Sequence, residues 1–216
     1  MKRFLLVFVA LAVILTAAAL ILQALGPRFQ SALLLDVTCR PPCWLGITPG
    51  ETSQWGVISA LLEAGFVEQP SIDVWERAGL PTRVMWQFRR PAGDLAGTAE
   101  VREDTVYELQ VFTAGSLSLE QAIELLGEPD SYGWETARAS AEGEAELAIV
   151  FSTSQAIVKV RLPFAGAPQS DGPAIGADTP VRSVSYLSQA AFANALASQD
   201  LTLIEWEGFS QIEPPN

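Results

Sequence analysis

An unbroken apolar run at the start of the chain is the feature that most constrains its fold. The run extends from Phe4 to Leu22 behind Lys2 and Arg3, and no further charge occurs before Arg28. A helix needs roughly 20 apolar residues to cross the hydrocarbon core of a bilayer, and flanking basic residues stay on the cytoplasmic side. The sequence therefore predicts a transmembrane signal anchor over residues 1–25. The protein is then a single-pass protein of the cell membrane, inserted through residues 4–25, with its C-terminal domain outside the cytoplasm.

A cleaved signal peptide is the alternative interpretation of the same segment. Ala17-Ala18-Ala19 offers the small residues that a cleavage site requires. The apolar run continues through Leu20-Ile21-Leu22, however, and this extra length favours an anchor that is not cut. Both interpretations place the rest of the chain outside the cytoplasm.

Charge and histidine content exclude several function classes. The formal net charge is −12 and the chain contains no histidine. Nucleic acid is excluded as a partner, because phosphate binding needs clustered Lys and Arg. The lack of imidazole removes Ser-His-Asp and Cys-His catalysis and the usual zinc sites. The sequence therefore predicts neither a metal site nor a cofactor.

Cys39 and Cys43 are the only cysteines, and they are separated by Arg40-Pro41-Pro42. In an oxidising compartment such a pair forms a disulfide, which here would fix a turn just beyond the stalk. A redox pair is one alternative, although its usual C-x-x-C spacing is missing. A metal site is another, and it would need two more ligands.

The pattern of the first half predicts one helix followed by an antiparallel meander. Thr52 or Ser53 caps the helix and Gly65 ends it. The apolar stripe of this helix is predicted at Trp55, Ile58, Leu61 and Leu62. Alternating residues predict strands over 83–90, 97–102 and 105–112.

The second half repeats this order. Ser116 or Ser118 caps a helix that ends at Gly127. Strands are predicted over 146–152, 155–162, 181–187 and 201–206, with a last helix over 189–198. The predicted fold is therefore α+β: an N-terminal transmembrane helix, then two repeated units of one helix plus an antiparallel sheet. The predicted segments are a stalk over 26–38, the units at 39–113 and 114–210, and a frayed tail at 211–216.

The second unit carries a family resemblance. Its segment from Ser116 to Pro129 reads S-L-S-L-E-Q-A-I-E-L-L-G-E-P. This resembles the G-x-T-x-x-Q-V-x-x-L-L-G-x-P stretch of the BamE/SmpA family of small envelope lipoproteins, and the β-lactamase inhibitor proteins have similar tandem units. The resemblance implies an interaction scaffold rather than an enzyme.

Three aromatic residues are candidates for a binding surface. Trp44 follows the second cysteine, and Trp86 and Phe88 share one face of a predicted strand. If these side chains are exposed, they would bind a partner or a ligand. If they are buried, they would be ordinary residues of the hydrophobic core.

The remaining candidates for chemistry are the carboxylates of Glu128 and Asp130, which flank Pro129, and of the nearby Glu135. They would serve acid–base catalysis or calcium, although a turn at the end of a helix also explains them.

The predicted function is a non-catalytic, membrane-anchored protein that binds an envelope protein or a small ligand through a sheet face or loops. A histidine-free hydrolase using paired carboxylates is the first alternative. A redox-sensitive sensor or inhibitor module, with a labile bond between Cys39 and Cys43, is the second.

Overall fold

The fold is built mainly from β-strands. The computed structural model describes residues 39–65, 67, 69–87, 96–135, 144–163, 174–198 and 201–209. Its helices are α1 (Gln54–Glu63), α2 (Leu119–Leu126) and α3 (Gln189–Ala197), with a 3-10 turn at Gln69–Ser71. Its strands are β1 (Asp73–Trp75), β2 (Thr82–Gln87), β3 (Ala96–Arg102), β4 (Thr105–Ser118), β5 (Ser131–Glu135), β6 (Glu144–Phe151), β7 (Ala156–Pro163), β8 (Pro180–Leu187) and β9 (Leu201–Glu205).

These strands form one nine-stranded sheet in the order β1-β2-β3-β4-β8-β7-β6-β5-β9. Every neighbouring pair is antiparallel. The strands β1 to β4 and the strands β5 to β8 are two meanders, and the long strand β4 joins them by pairing with β8. The ends of the described sheet are therefore β1 and β9.

The two faces of the sheet differ in what covers them. On the face that we call inner, Val84, Leu109 and Ile149 pack in one core with residues of α1 and α2. On the opposite, outer face, Ala148, Ile157 and Leu187 form a smaller cluster with Ala191 of α3. Alternation along each strand separates these two sets, because successive side chains point to opposite faces.

Helix α1 has the predicted ends but a partly different buried side. The Ser53 hydroxyl accepts the Gly56 N–H at 3.2 Å, and Gly65 adopts the left-handed conformation that follows the helix. The predicted stripe is correct for Leu61, which is buried, and for Ile58, which packs against the core, but wrong for Trp55 and Leu62, which are 70% and 38% exposed. Val57 is buried as well. The helix carries two apolar stripes on different sides, and only packing against the sheet selects between them.

Helix α2 agrees with the sequence pattern. The Ser118 hydroxyl accepts the Gln121 N–H at 3.3 Å, and the Gln121 side chain accepts the Ser118 N–H at 3.0 Å. This reciprocal capping box satisfies two backbone donors at the start of the helix. Leu119, Ala122 and Leu126 are buried against the sheet.

The prediction of an α+β fold with two repeated helix-plus-sheet units is wrong. The molecule is mainly one antiparallel sheet, and the boundary placed between residues 113 and 114 falls inside β4. Strands assigned to both units share a single core, and α3 and β9 add a helix and a strand after the second meander. The reason is that periodicity identifies strands but does not identify their partners.

The described structure does not bear out the predicted transmembrane helix or the single-pass membrane topology. The longest described helix, α1, has ten residues, about half of what a membrane span requires. Within the described part of the chain, no helix combines the length and the apolar character needed to cross a membrane. The predicted anchor at 1–25, its membrane contact at 4–25 and the stalk at 26–38 lie outside the described residues.

Candidate functional site

Trp44 and Trp86, two of the three residues predicted to form a binding surface, lie in the core. Their exposed fractions are 1% and 2%, and their rings stack with centroids 6.4 Å apart. The Trp86 ring lies directly on Gly97, where an added Cβ would clash with the Trp86 Cζ2 atom. The pair therefore fills the inner side of the first meander. Phe88 lies outside the described residues.

Cys39 and Cys43 form the predicted disulfide, with their Cα atoms 5.6 Å apart. The Cys43 N–H donates to the Arg40 carbonyl at 3.1 Å, which closes a turn immediately before the buried Trp44. Both cysteines are half-buried. The disulfide thus fixes the chain beside the tryptophan pair.

The candidate carboxylates are not gathered into a catalytic pair by any described contact. Glu128 is exposed, and Asp130 accepts the Ser152 N–H at 2.5 Å through its side chain. That bond joins the start of β5 to the turn between β6 and β7. Glu135 is the last residue of β5. Among the described residues no group of three or more acidic or cysteine side chains is placed to hold a metal ion.

Large exposed apolar side chains occur in separate regions of the described molecule. Trp55 and Leu62 lie on α1, which packs on the inner face, whereas Met85 and Trp75 belong to the outer face of β2 and β1. In contrast, Leu203, Ile204 and Phe209 lie within one short segment, with exposed fractions of 37%, 38% and 46%. In this last group, Leu203 and Ile204 belong to the end strand β9, and Phe209 follows it closely in the chain.

The strand β9 has a paired side and an open side. It is the last strand of the sheet and pairs with β5 through Tyr132 opposite Ile204 and Gly133 opposite Leu203. The Trp206 N–H donates to the Asp130 carbonyl at 3.1 Å. Hydrogen-bonded pairs recur at every second residue of an antiparallel ladder, so Ile204 and Thr202 also direct their backbone groups toward β5. Leu203 and Glu205 then direct theirs outward.

The backbone groups of Leu203 and Glu205 therefore form an open row. In the described part of the chain, no strand pairs with the edge of β9 that faces away from β5. We call the row, together with the side chains beside it, the β9 edge.

Aromatic side chains extend the β9 edge on the inner face. The Trp206 ring meets the Tyr132 ring edge-to-face at 6.2 Å and the Phe209 ring edge-to-face at 6.0 Å. Tyr132 and Trp206 also pack against the main core, while Phe209 is half exposed. One side of the cluster is therefore packed against the core, and Phe209 on the other side is exposed.

The surroundings of the β9 edge are acidic. Glu128, Asp130, Glu205 and Glu207 are all exposed. The sequence contains no Lys or Arg from residue 103 to residue 137 and none after Arg182. A partner that approaches this edge therefore meets carboxylates without compensating cations from these two segments.

Sequence patterns detected the strand but not its role. Residues 201–206 were predicted as a short strand, and β9 covers Leu201–Glu205. Its position at the end of the sheet depends on pairing with β5, about seventy residues earlier in the chain. The segment 201–206 contains β-forming residues and lacks lysine and proline, which commonly protect edge strands. These are the only local signals of an unprotected edge.

Comparison of the chain with protein-family models, curated proteins and solved structures produced no match. The resemblance of the segment from Ser116 to Pro129 to the BamE/SmpA family stays a prediction.

Proposed function

We propose that this protein is a non-catalytic binding protein that captures an extended segment of another protein along the β9 edge. The captured segment adds one strand to the sheet. In this mode, main-chain hydrogen bonds provide affinity and alternate side chains provide specificity. The observation that carries the proposal is the outward row of backbone groups at Leu203 and Glu205 beside exposed apolar side chains.

The backbone supports the proposal because an unpaired strand edge is a template for another strand. Each outward residue offers one N–H and one C=O, so Leu203 and Glu205 together offer four groups to a partner. The strand itself is held on its other side by five register pairs with β5. An incoming strand therefore meets a template that is already ordered.

The side chains support the proposal because both faces of the β9 edge carry apolar groups. Leu203 lies on the outer face, and Ile204 lies on the inner face beside the aromatic cluster of Trp206 and Phe209. Cross-strand contacts with such residues stabilise strand pairing by roughly 0.2–1 kcal/mol each. The role as an interaction scaffold is also what the BamE/SmpA resemblance of Ser116–Pro129 implies.

Peptide binding to the full chain tests the proposal. The probes are three fluorescent peptides in which valine alternates with lysine, threonine or glutamate. Leu203→Pro removes an outward N–H without removing a bond to β5, because proline is tolerated on the open side of an edge strand. Leu203→Ala is the matched control, since it shortens the same side chain and keeps the N–H.

We expect at least one peptide to bind the natural chain and the Leu203→Ala variant, and to lose about tenfold or more in affinity with Leu203→Pro. Fluorescence anisotropy measures the affinities, and circular dichroism checks that both variants fold. Binding that is equal for Leu203→Pro and Leu203→Ala would contradict the proposal, as would the absence of binding by all three peptides.

A further inference from the structure

We infer that the segment captured by the β9 edge alternates basic and apolar residues. This inference rests on the proposed function and adds the chemistry of the partner. It follows from two features of the same edge: its exposed carboxylates and the different residues that β9 places on its two faces.

Charge selects a basic partner. Glu205 is exposed on β9, Glu207 follows it, and Asp130 and Glu128 precede the neighbouring strand β5. Opposite charges on adjacent strands stabilise pairing, whereas like charges directly opposite one another destabilise it. A segment with lysine or arginine beside Glu205 therefore binds better than a neutral segment, and an acidic segment binds worse.

The register selects alternation. Glu205 and Leu203 share the outer face, whereas Ile204 and Thr202 share the inner face with Tyr132 and Trp134. Successive side chains of an incoming strand also point to opposite faces. Its basic residues therefore fit the outer row, where a lysine stem can cover Leu203 while its ammonium group reaches Glu205. Its apolar residues fit the inner row beside Ile204 and Trp206.

The same charges disfavour a second copy of this chain as the occupant. Two β9 strands paired about a two-fold axis would bring Glu205 and Glu207 of both copies to one seam. No lysine or arginine occurs after Arg182 to offset them. The net charge of −12 adds a general repulsion between copies.

Affinities of the three peptides for the full chain test the inference. At low salt we expect the lysine peptide to bind about tenfold tighter than the threonine peptide, and the glutamate peptide to bind weakest. We expect this preference to shrink as salt is raised, because exposed charges are screened. Equal affinities for the lysine and threonine peptides would overturn the inference and leave the proposed function standing. If no peptide depends on the N–H of residue 203, the proposed function itself fails.

Variants that remove single carboxylates test whether the preference for the lysine peptide arises at the β9 edge. Glu205→Gln should weaken the lysine peptide about two- to fivefold, strengthen the glutamate peptide and leave the threonine peptide unchanged. The matched control is Glu76→Gln, which removes one exposed carboxylate in the loop after β1 at the other end of the sheet. An equal effect of Glu76→Gln would overturn the assignment to the β9 edge.

Analytical ultracentrifugation of the chain without peptide tests whether a second copy of the chain occupies the β9 edge. We expect a monomer over the concentration range used for binding. A dimer that Leu203→Pro dissociates and Leu203→Ala preserves would overturn the inference in favour of a second copy.

Discussion

The two ends of the sheet, β1 and β9, are built differently. Strand β1 has three residues, begins with the charged Asp73, and follows a 3-10 turn. The Ser71 hydroxyl just before β1 donates to the Gln87 carbonyl at 3.0 Å, so the chain is tied to the end of β2. Strand β9 has five residues and carries exposed Leu203 and Ile204.

The comparison teaches that binding capacity follows from the chemistry of an edge rather than from the sheet as a whole. Short strands and edge charges are common ways of preventing unwanted strand pairing, and β1 has both. Strand β9 is longer and carries the exposed apolar residues Leu203 and Ile204, and we propose that its one charged residue, Glu205, favours a basic partner instead of excluding every partner. The following predictions test this difference, from the largest expected effect to the smallest.

Proline should distinguish the two sides of β9. Ile204→Pro removes an N–H that is directed toward β5 and with it a hydrogen bond of the ladder, and the partner left unsatisfied costs about 1–3 kcal/mol. We expect urea unfolding to show this loss, or hydrogen exchange to show β9 detached from β5. Leu203→Pro should change the free energy of unfolding by less than about 1 kcal/mol. Equal losses for the two variants would contradict the assignment of inward and outward groups.

A larger residue at position 97 should show that the first meander, β1 to β4, is stabilised by buried aromatic side chains. Gly97→Ala places a methyl group against the Trp86 ring, which must shift. We expect the free energy of unfolding to fall by about 1–3 kcal/mol. Trp86→Leu replaces the ring with a smaller side chain. Gly97→Ala should therefore destabilise the Trp86→Leu variant less than it destabilises the natural chain. If Gly97→Ala is neutral in the natural background, the tryptophan pair is not packed as described.

Truncation at the aromatic cluster should reduce binding without reducing stability. Phe209 is 46% exposed and contacts Trp206, so Phe209→Ala should weaken the lysine peptide about fivefold. The free energy of unfolding should stay within about 0.5 kcal/mol of that of the natural chain. The two quantities are measured by anisotropy and urea unfolding. An unchanged affinity would exclude Phe209 from the binding surface.

The smallest effect is expected at the opposite edge. Trp75 is 39% exposed on β1, and Trp75→Thr replaces it with a β-branched residue that is also favoured in strands. We expect less than about a twofold change in peptide affinity and a stability change within about 0.5 kcal/mol. A loss of affinity as large as that of Phe209→Ala would show that β1 also binds the peptide and would remove the distinction between the edges.

Local signals in the sequence predicted local structure well. Ser53 and Ser118 cap the first two helices, as predicted, because each capping interaction joins residues three positions apart. The strand predicted over 201–206 is also found, as β9. The Cys39–Cys43 disulfide followed from a separation of four residues.

Non-local packing accounts for what the sequence did not predict. The side chains of Gln110 and Ser183 meet at 3.2 Å across 73 positions of the chain, and this pairing of β4 with β8 merges the expected two units into one sheet. Apolar character alone did not separate the buried Trp44 and Trp86 from the exposed Trp55. The β9 edge could not be predicted because exposure of a strand edge depends on which strand is its neighbour.

Amide hydrogen exchange of the full chain, with and without the peptide that alternates valine and lysine, tests the central claim most directly. The account predicts that the peptide slows exchange at the Leu203 and Glu205 amides, which are directed outward. The Ile204 amide, already directed toward β5, should change little. Protection confined to β1 or α1, or no added protection at Leu203 and Glu205 when the peptide is saturating, would contradict strand addition at the β9 edge.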